Sequence, residues 1–122
     1  MSESGKGSDL RERVFEFACA VLDLHRYLYS REPSLRFASG QAARAAASVG
    51  ANLEEADAGQ SRADFISKCT ISLKEARESR YWLRILCRLH PAQQKQIAPL
   101  IAESTELVAI LTTIVKRSKS RS

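Results

Sequence analysis

The sequence predicts an all-α protein, an antiparallel up-down four-helix bundle. The chain has 122 residues, 44% hydrophobic and 27% charged, which is the balance of one ordinary soluble domain. It contains only five glycines, three prolines and 7% aromatic residues. This composition disfavours a sheet-rich fold, because strands need turn residues and β-branched or aromatic side chains. Four segments with apolar residues three and four positions apart, joined by short connections, indicate four antiparallel helices.

The first predicted helix covers residues 8–30 and carries one apolar stripe. We expect Ser8 to cap its first turn and Pro33 to end the helical pattern. Residues 1–7 are small, polar and rich in glycine and serine, so they are predicted to form a flexible tail. The stripe consists of Leu10, Val14, Phe17, Val21, Leu24 and Leu28.

The second predicted helix covers residues 35–58 and is unusually rich in alanine. Nine of the 21 residues from position 38 to position 58 are alanine, so a neighbouring helix can approach its backbone closely. Gly50 in the middle costs about 1 kcal/mol relative to alanine, which predicts that another backbone passes there. Gly59 is expected to end the helix.

The third predicted helix starts at a capping sequence, Ser61 to Asp64, and runs to about Leu89. The dipeptide His90-Pro91 ends it, and a fourth helix follows over residues 92–116. Residues 8–116 are therefore expected to form the bundle domain, and residues 117–122 a basic C-terminal tail. The stripe of the third helix contains Ile66, Cys69, Leu73, Ala76, Leu83 and Cys87. The stripe of the fourth contains Ile97, Leu100, Leu107, Leu111 and Ile114.

The first and fourth helices have more apolar width than one bundle core uses. Exposed apolar strips on a protein surface mark contact sites, so we expect the chain to self-associate. The alternative is that the additional residues, such as Phe15 and Val108, lie at the margin of the core.

The residues that usually carry chemistry are sparse. Cys19, Cys69 and Cys87 form no C-x-x-C pair, and neither His25 nor His90 has a glutamate three positions before it. A zinc site, a disulfide framework and a di-metal site are therefore not expected. No Gly-rich phosphate loop is present either. The sequence thus predicts no catalytic residue, no metal and no cofactor, and a protein that is not an enzyme.

No targeting or membrane segment is expected. Charged residues interrupt the first apolar region, and the longest apolar run of the last helix is residues 107–111. A membrane-spanning helix needs about 20 apolar residues, so we expect a cytoplasmic protein without membrane contact.

The positive charge is concentrated near the C-terminus. The formal net charge is +5, and it falls to +1 without the four cations of the last seven residues. Such a segment either docks on nucleic acid or only aids solubility, and the sequence leaves both open. These cations are Lys116, Arg117, Lys119 and Arg121.

A second group of cations follows one face of the third helix, at intervals of three and four residues around a tyrosine. Cations there would contact phosphates, and a base could stack on Tyr81. The alternative is a solvated face on which Glu78 pairs with Lys74 and Tyr81 is half-buried. The predicted nucleic-acid-binding face consists of Lys74, Arg77, Tyr81, Arg84 and Arg88.

Two blocks of sequence resemble a known family. Residues 48–56 read SVGANLEEA, and residues 71–83 contain ISLKEARES followed by YWL. They are similar to the four-helix-bundle family that includes proteins encoded by intervening sequences of bacterial large-subunit rRNA genes. Gly50 stands where proline is more common in that family, and Leu53 where isoleucine is usual. We expect Asn52, within the first block, to be structural, because an amide suits bridging of neighbouring polar groups.

The resemblance implies a homopentameric ring without established enzymatic activity. It extends more distantly to accessory variability proteins of retroelements, which resemble basic pentameric barrels that bind RNA and a reverse transcriptase. We therefore expect a non-enzymatic oligomer that binds nucleic acid, RNA in preference, through the third helix and the basic C-terminus. The alternative is a protein–protein interaction scaffold that does not bind nucleic acid.

Overall fold

The computed structural model describes residues 5–59 and 61–121, with side chains from residue 9 onward. Within these residues all regular structure is helical, which confirms the predicted fold class. Short 3₁₀ turns precede the second and the fourth helix, and each begins at a proline. The four helices are α1 (Gly5–Arg31), α2 (Arg36–Asp57), α3 (Arg62–Leu89) and α4 (Gln94–Ser120).

The outer helices are longer than the sequence predicts. α1 begins at Gly5, so Ser8 lies inside the helix and does not cap it, and residues 5–7 are not part of a tail. Residues 1–4 of the predicted tail lie outside the described residues. α4 continues to Ser120, because residues 116–120 contain no glycine or proline and cations favour the negative end of a helix. Most of the predicted basic tail is therefore the last part of α4.

Contacts between neighbouring helices establish the up-down arrangement. Near the start of α1, Arg11 pairs with Asp57 at the end of α2 at 3.1 Å. Between α2 and α3, Lys68 pairs with Glu55 at 2.8 Å. Residues early in one helix thus meet residues late in the preceding helix, as expected for antiparallel neighbours.

The alanine-rich α2 lies close to both of its neighbours. Buried Ser72 of α3 donates a hydrogen bond to the backbone carbonyl of Val49 at 2.8 Å, so a short side chain spans the gap between the helices. At Gly50, a Cβ atom would lie 3.3 Å from Cγ1 of Val14 in α1. The close neighbour of Gly50 is therefore a core side chain, and the prediction of a passing backbone is wrong.

The α2–α3 connection is shaped by a close approach at Gly59. A Cβ atom there would lie 2.5 Å from a carboxylate oxygen of Asp64 and 3.2 Å from the carbonyl oxygen of Ala56. Ser61 caps α3, as predicted, and accepts a hydrogen bond from the backbone N–H of Asp64 at 3.1 Å. Asp64 therefore lies over the turn, and a larger residue at position 59 would have to displace its carboxylate.

One core extends through the bundle and includes the predicted stripe residues except Ile66, which lies outside it. Four members of the stripes are only partly buried, and they are Leu10, Cys87, Leu100 and Ile114. Val108 is 9% exposed and packs in this core, whereas Phe15 is 58% exposed. Of these two examples of additional apolar width, Phe15 lies on the surface and Val108 does not. Four serines are also buried, and they are Ser39, Ser72, Ser79 and Ser104.

α1 and α4 touch each other far less than the other neighbouring pairs do. Arg13 of α1 bridges the two helices, with its guanidinium bonded to Glu103 at 2.7 and 2.9 Å and to Glu106. These hydrogen bonds, the one to Glu103 first, raise the pKa of Arg13 above its ordinary value. At the other end of the same seam, Gln93 donates to the Tyr27 hydroxyl at 3.3 Å.

The segment Pro91–Ser120 is long and apolar enough to cross a membrane by length and composition alone. Three apolar residues of α4, Ile97, Leu107 and Leu111, are fully buried in the bundle core. Only 22% of its most apolar window is buried in the bundle, so packing accounts for part of the apolar character of α4. The prediction that no segment is long and apolar enough to span a membrane is therefore wrong as far as length and composition go.

Candidate nucleic-acid interface

The predicted face of α3 lies on the surface of the bundle. Lys74, Arg77, Arg84 and Arg88 are all exposed, and Tyr81 at their centre is 56% exposed. The intervals of three and four residues place them along one side of a straight helix. No carboxylate of the described residues lies within ion-pair distance of any of the four cations.

The nearby acids of α3 pair with a residue of α2 and not with the cations of the face. Arg44 of α2 pairs with Glu78 at 2.6 Å and with Glu75 at 3.4 Å. The hydrogen bond that Arg44 donates to Glu78 is the main reason that the pKa of Arg44 is raised. The pair between Glu78 and Lys74 that the alternative included is therefore wrong, whereas the solvated face itself stays a prediction. The cations of the α3 face therefore remain available for an external anion.

An aromatic row supports Tyr81. The Trp82 ring meets Tyr81 edge to face, with centroids 5.6 Å apart and planes at 75°. On its other side, Trp82 meets Phe37 of α2 at 5.5 Å and 86°. The Trp82 indole N–H also donates to Glu78 at 3.4 Å. Edge-to-face pairs of this kind are stabilising, so Tyr81 is positioned by its neighbours although it is largely exposed.

An open cleft of about 600 Å³ lies beside the C-terminal part of this face, between the end of α3 and the start of α4. Tyr81, Arg84 and Arg88 line it from α3, and Gln94 and Ile101 line it from α4. Lys74 and Arg77 are not among its lining residues. The structure therefore divides the predicted face into a cleft region and an open helical surface.

The C-terminal cations lie at the opposite end of the bundle. α4 runs antiparallel to α3, so Lys116, Arg117, Lys119 and Arg121 are remote from the cleft at its start. Arg117 lines a groove between α1 and α4 together with Arg13. The sequence-predicted residues thus form two separate basic regions, one on α3 and one at the end of α4.

The other candidate polar residues have defined local contacts. The Nδ1 atom of His25 lies 2.6 Å from Oγ of Ser39, which is 1% exposed. Nε2 of His90 lies 3.9 Å from a carboxylate oxygen of Glu32, so this pair links the residues that precede the two 3₁₀ turns.

Burial raises the pKa of the Cys69 thiol. The described residues, 5–59 and 61–121, contain no cluster of three or more His, Cys, Asp or Glu side chains that could hold a metal.

Asn52 is structural, as predicted. Its amide donates to the backbone carbonyl of Ser48 at 2.9 Å and to the Ser48 hydroxyl at 3.0 Å. These bonds lie within one turn of α2, so the first sequence block stabilises the helix itself.

Four helices, an alanine-rich second helix and a basic outer face on the third define a small helical-bundle protein. The family model of the 23S rRNA-intervening sequence protein matches residues 7–113, and the chain belongs to that family. Its structure is similar to that of a protein of unknown function from the S23 ribosomal protein family of Bacteroides thetaiotaomicron VPI-5482. The TM-score is 0.80 at 38% identity, and the match covers 88% of this chain and 98% of the other. Among curated proteins, none matches the chain.

Proposed function

We propose that the protein is a non-enzymatic cytoplasmic oligomer that binds RNA through the outer face of α3 and the cations at the end of α4. The observation that carries this proposal is the unpaired state of Lys74, Arg77, Arg84 and Arg88 among the described residues. Lys and Arg side chains without carboxylate partners bind phosphates and release the counterions of a nucleic acid. Tyr81, half-exposed between them, offers a surface for a base.

RNA is the proposed nucleic acid because of the family. Members are described as 23S rRNA-intervening sequence proteins, and the reference to 23S rRNA in this description supports RNA over DNA as the ligand.

The first test is retention of RNA by the wild-type protein on a filter. At ~50 mM salt, phosphate binding is strong, and we expect RNA to be retained. Retention is expected to fall steeply as salt rises, because each contact contributes to the slope of affinity against salt concentration. A protein that retains no RNA at this salt concentration does not have the proposed function.

We also propose that the protein self-associates through an apolar strip on α1, defined by Phe15, Cys19 and Leu22. The three residues are exposed and lie three and four positions apart, hence on one face. Large exposed apolar side chains in a contiguous strip mark interaction surfaces. A pentameric ring is the assembly that the resemblance implies, and it would repeat the α3 face so that weak RNA contacts add together.

Replacing Phe15 and Leu22 with serine is expected to reduce the molar mass of the particle to that of a single chain of 13.6 kDa. Light scattering during size-exclusion chromatography measures this. The control is Ile71→Ser, which also removes a partly exposed apolar side chain, but from α3. A wild-type protein that is monomeric at micromolar concentration would contradict the self-association.

A second candidate is a scaffold that recruits another protein, and the same α1 strip favours it. The two candidates differ in a pull-down from the native cytosol. RNA binding predicts partners that are released by nuclease, whereas a scaffold keeps its partners after nuclease treatment.

A further inference from the structure

The cleft between α3 and α4 has the size and lining of a small-ligand site. Its volume of about 600 Å³ falls within the range of roughly 300–1,000 Å³ that such sites occupy. The lining combines apolar side chains, one tyrosine, one amide and two guanidinium groups, and no acidic residue is among its described members. A ligand that fits this lining has a planar apolar surface, an edge with polar atoms and a negative charge.

The apolar part of the cleft is exposed to an unusual degree. Leu89, the last residue of α3, is 62% exposed and lies among the lining residues with Ile85 and Ile101. Large apolar side chains beside two unpaired arginines are poor surroundings for a purely hydrophobic partner. They suit a ligand that is apolar on its faces and charged at its ends.

The polar groups of the cleft are placed for a nucleotide. Tyr81 is held edge to face on Trp82, and more than half of its surface remains exposed. Gln94 offers both a donor and an acceptor, which can pair with the edge of a base. Arg84 and Arg88 lie one helical turn apart, so their guanidinium groups can contact consecutive phosphates.

We propose that the cleft receives one unpaired nucleotide of a single-stranded RNA. The base stacks on Tyr81, the Gln94 amide bonds its edge, and Arg84 and Arg88 contact the phosphates on its two sides. This inference rests on the proposed RNA binding and specifies its substrate as unpaired RNA. A duplex keeps its base faces stacked and its pairing edges occupied, so it can contact the cations but cannot fill the cleft.

Trp82 provides a direct readout, because it is the only tryptophan of the chain and its ring lies 5.6 Å from Tyr81. A short unstructured RNA containing 2-aminopurine and a fully paired RNA of the same length are titrated into the protein at ~50 mM salt. We expect the single strand to change Trp82 fluorescence and the 2-aminopurine signal to be quenched. The duplex is expected to bind without changing Trp82 fluorescence.

Tyr81→Ala is expected to weaken single-strand binding about tenfold, in keeping with the loss of one base–aromatic stack, and to leave duplex binding unchanged. Tyr81→Phe keeps the ring and is expected to keep the affinity. The inference is overturned if Tyr81→Ala loses as much affinity for the duplex as for the single strand. It is also overturned if the single strand binds the wild-type protein without changing Trp82 fluorescence. Both results leave RNA binding in place. AMP that binds as tightly as the strand would also overturn it. If neither RNA binds, the proposed function itself fails.

Discussion

Replacing Arg77, Arg84 and Arg88 together with alanine is expected to lower the affinity for single-stranded RNA about a hundredfold at ~0.1 M salt. A contact with a single-strand phosphate contributes about 0.7 to the slope of log affinity against log salt. Three lost contacts therefore reduce the slope by about 2, which corresponds to about two decades of affinity at this salt concentration. Filter binding over a series of salt concentrations measures both quantities.

The matched control removes the same charge from elsewhere on the surface. Arg26, Arg31 and Arg62 are exposed and lie on α1 and at the start of α3, and none of them belongs to the predicted face or lines the cleft. Replacing these three with alanine is expected to change the affinity far less. If both triple variants lose the same affinity, net charge rather than the α3 face determines binding. Circular dichroism should give the same helical content for both variants, because all six side chains are exposed.

The second large effect concerns the contact between α2 and α3. Replacing Ser72 with leucine is expected to lower the free energy of unfolding by about 3 kcal/mol. The larger side chain must enter a site with 0% exposure, and the hydrogen bond to the Val49 carbonyl is lost. Urea denaturation followed by circular dichroism measures the change.

Two serine variants separate the causes. Ser72→Ala removes only the hydrogen bond, and it is expected to cost about 1 kcal/mol because the Val49 carbonyl retains its own helical bond. Ser67→Leu adds the same bulk at an exposed position of α3 and is expected to leave stability unchanged within about 0.5 kcal/mol. A Ser72→Leu protein as stable as the wild type would show that the space between α2 and α3 can hold a larger side chain at this position.

The helices were predictable because apolar periodicity is a local property of the chain. The stripe residues Val14, Val21 and Leu28, predicted from their spacing, are all 0% exposed. Of the buried serines only Ser39 was predictable, because it lies seven and fourteen positions before the apolar residues Ala46 and Leu53. Ser72 and Ser104 satisfy their hydroxyls on backbone carbonyls, and only the packed structure reveals those acceptors.

The candidate site was predictable in part for the same reason. The intervals along α3 show that its cations and Tyr81 share a face. They do not show that Glu78 binds Arg44, which lies 34 positions earlier in the chain. Nor do they place Gln94 beside Arg88, since that depends on how α4 packs against α3. The charge balance of the face and the cleft therefore emerge only from contacts between helices.

The sparse seam between α1 and α4 has a consequence for how the chain folds. Apart from the bridge at Arg13 and the bond between Gln93 and Tyr27, the main packing joins helices that follow each other in sequence. Few contacts require the two ends of the chain to come together. Each folding step therefore closes only the short connection between successive helices, and its entropic cost is small. Helical bundles with such local topology fold within microseconds to milliseconds. The first hairpin, α1 with α2, can therefore form while the C-terminal part of the chain is still being synthesised.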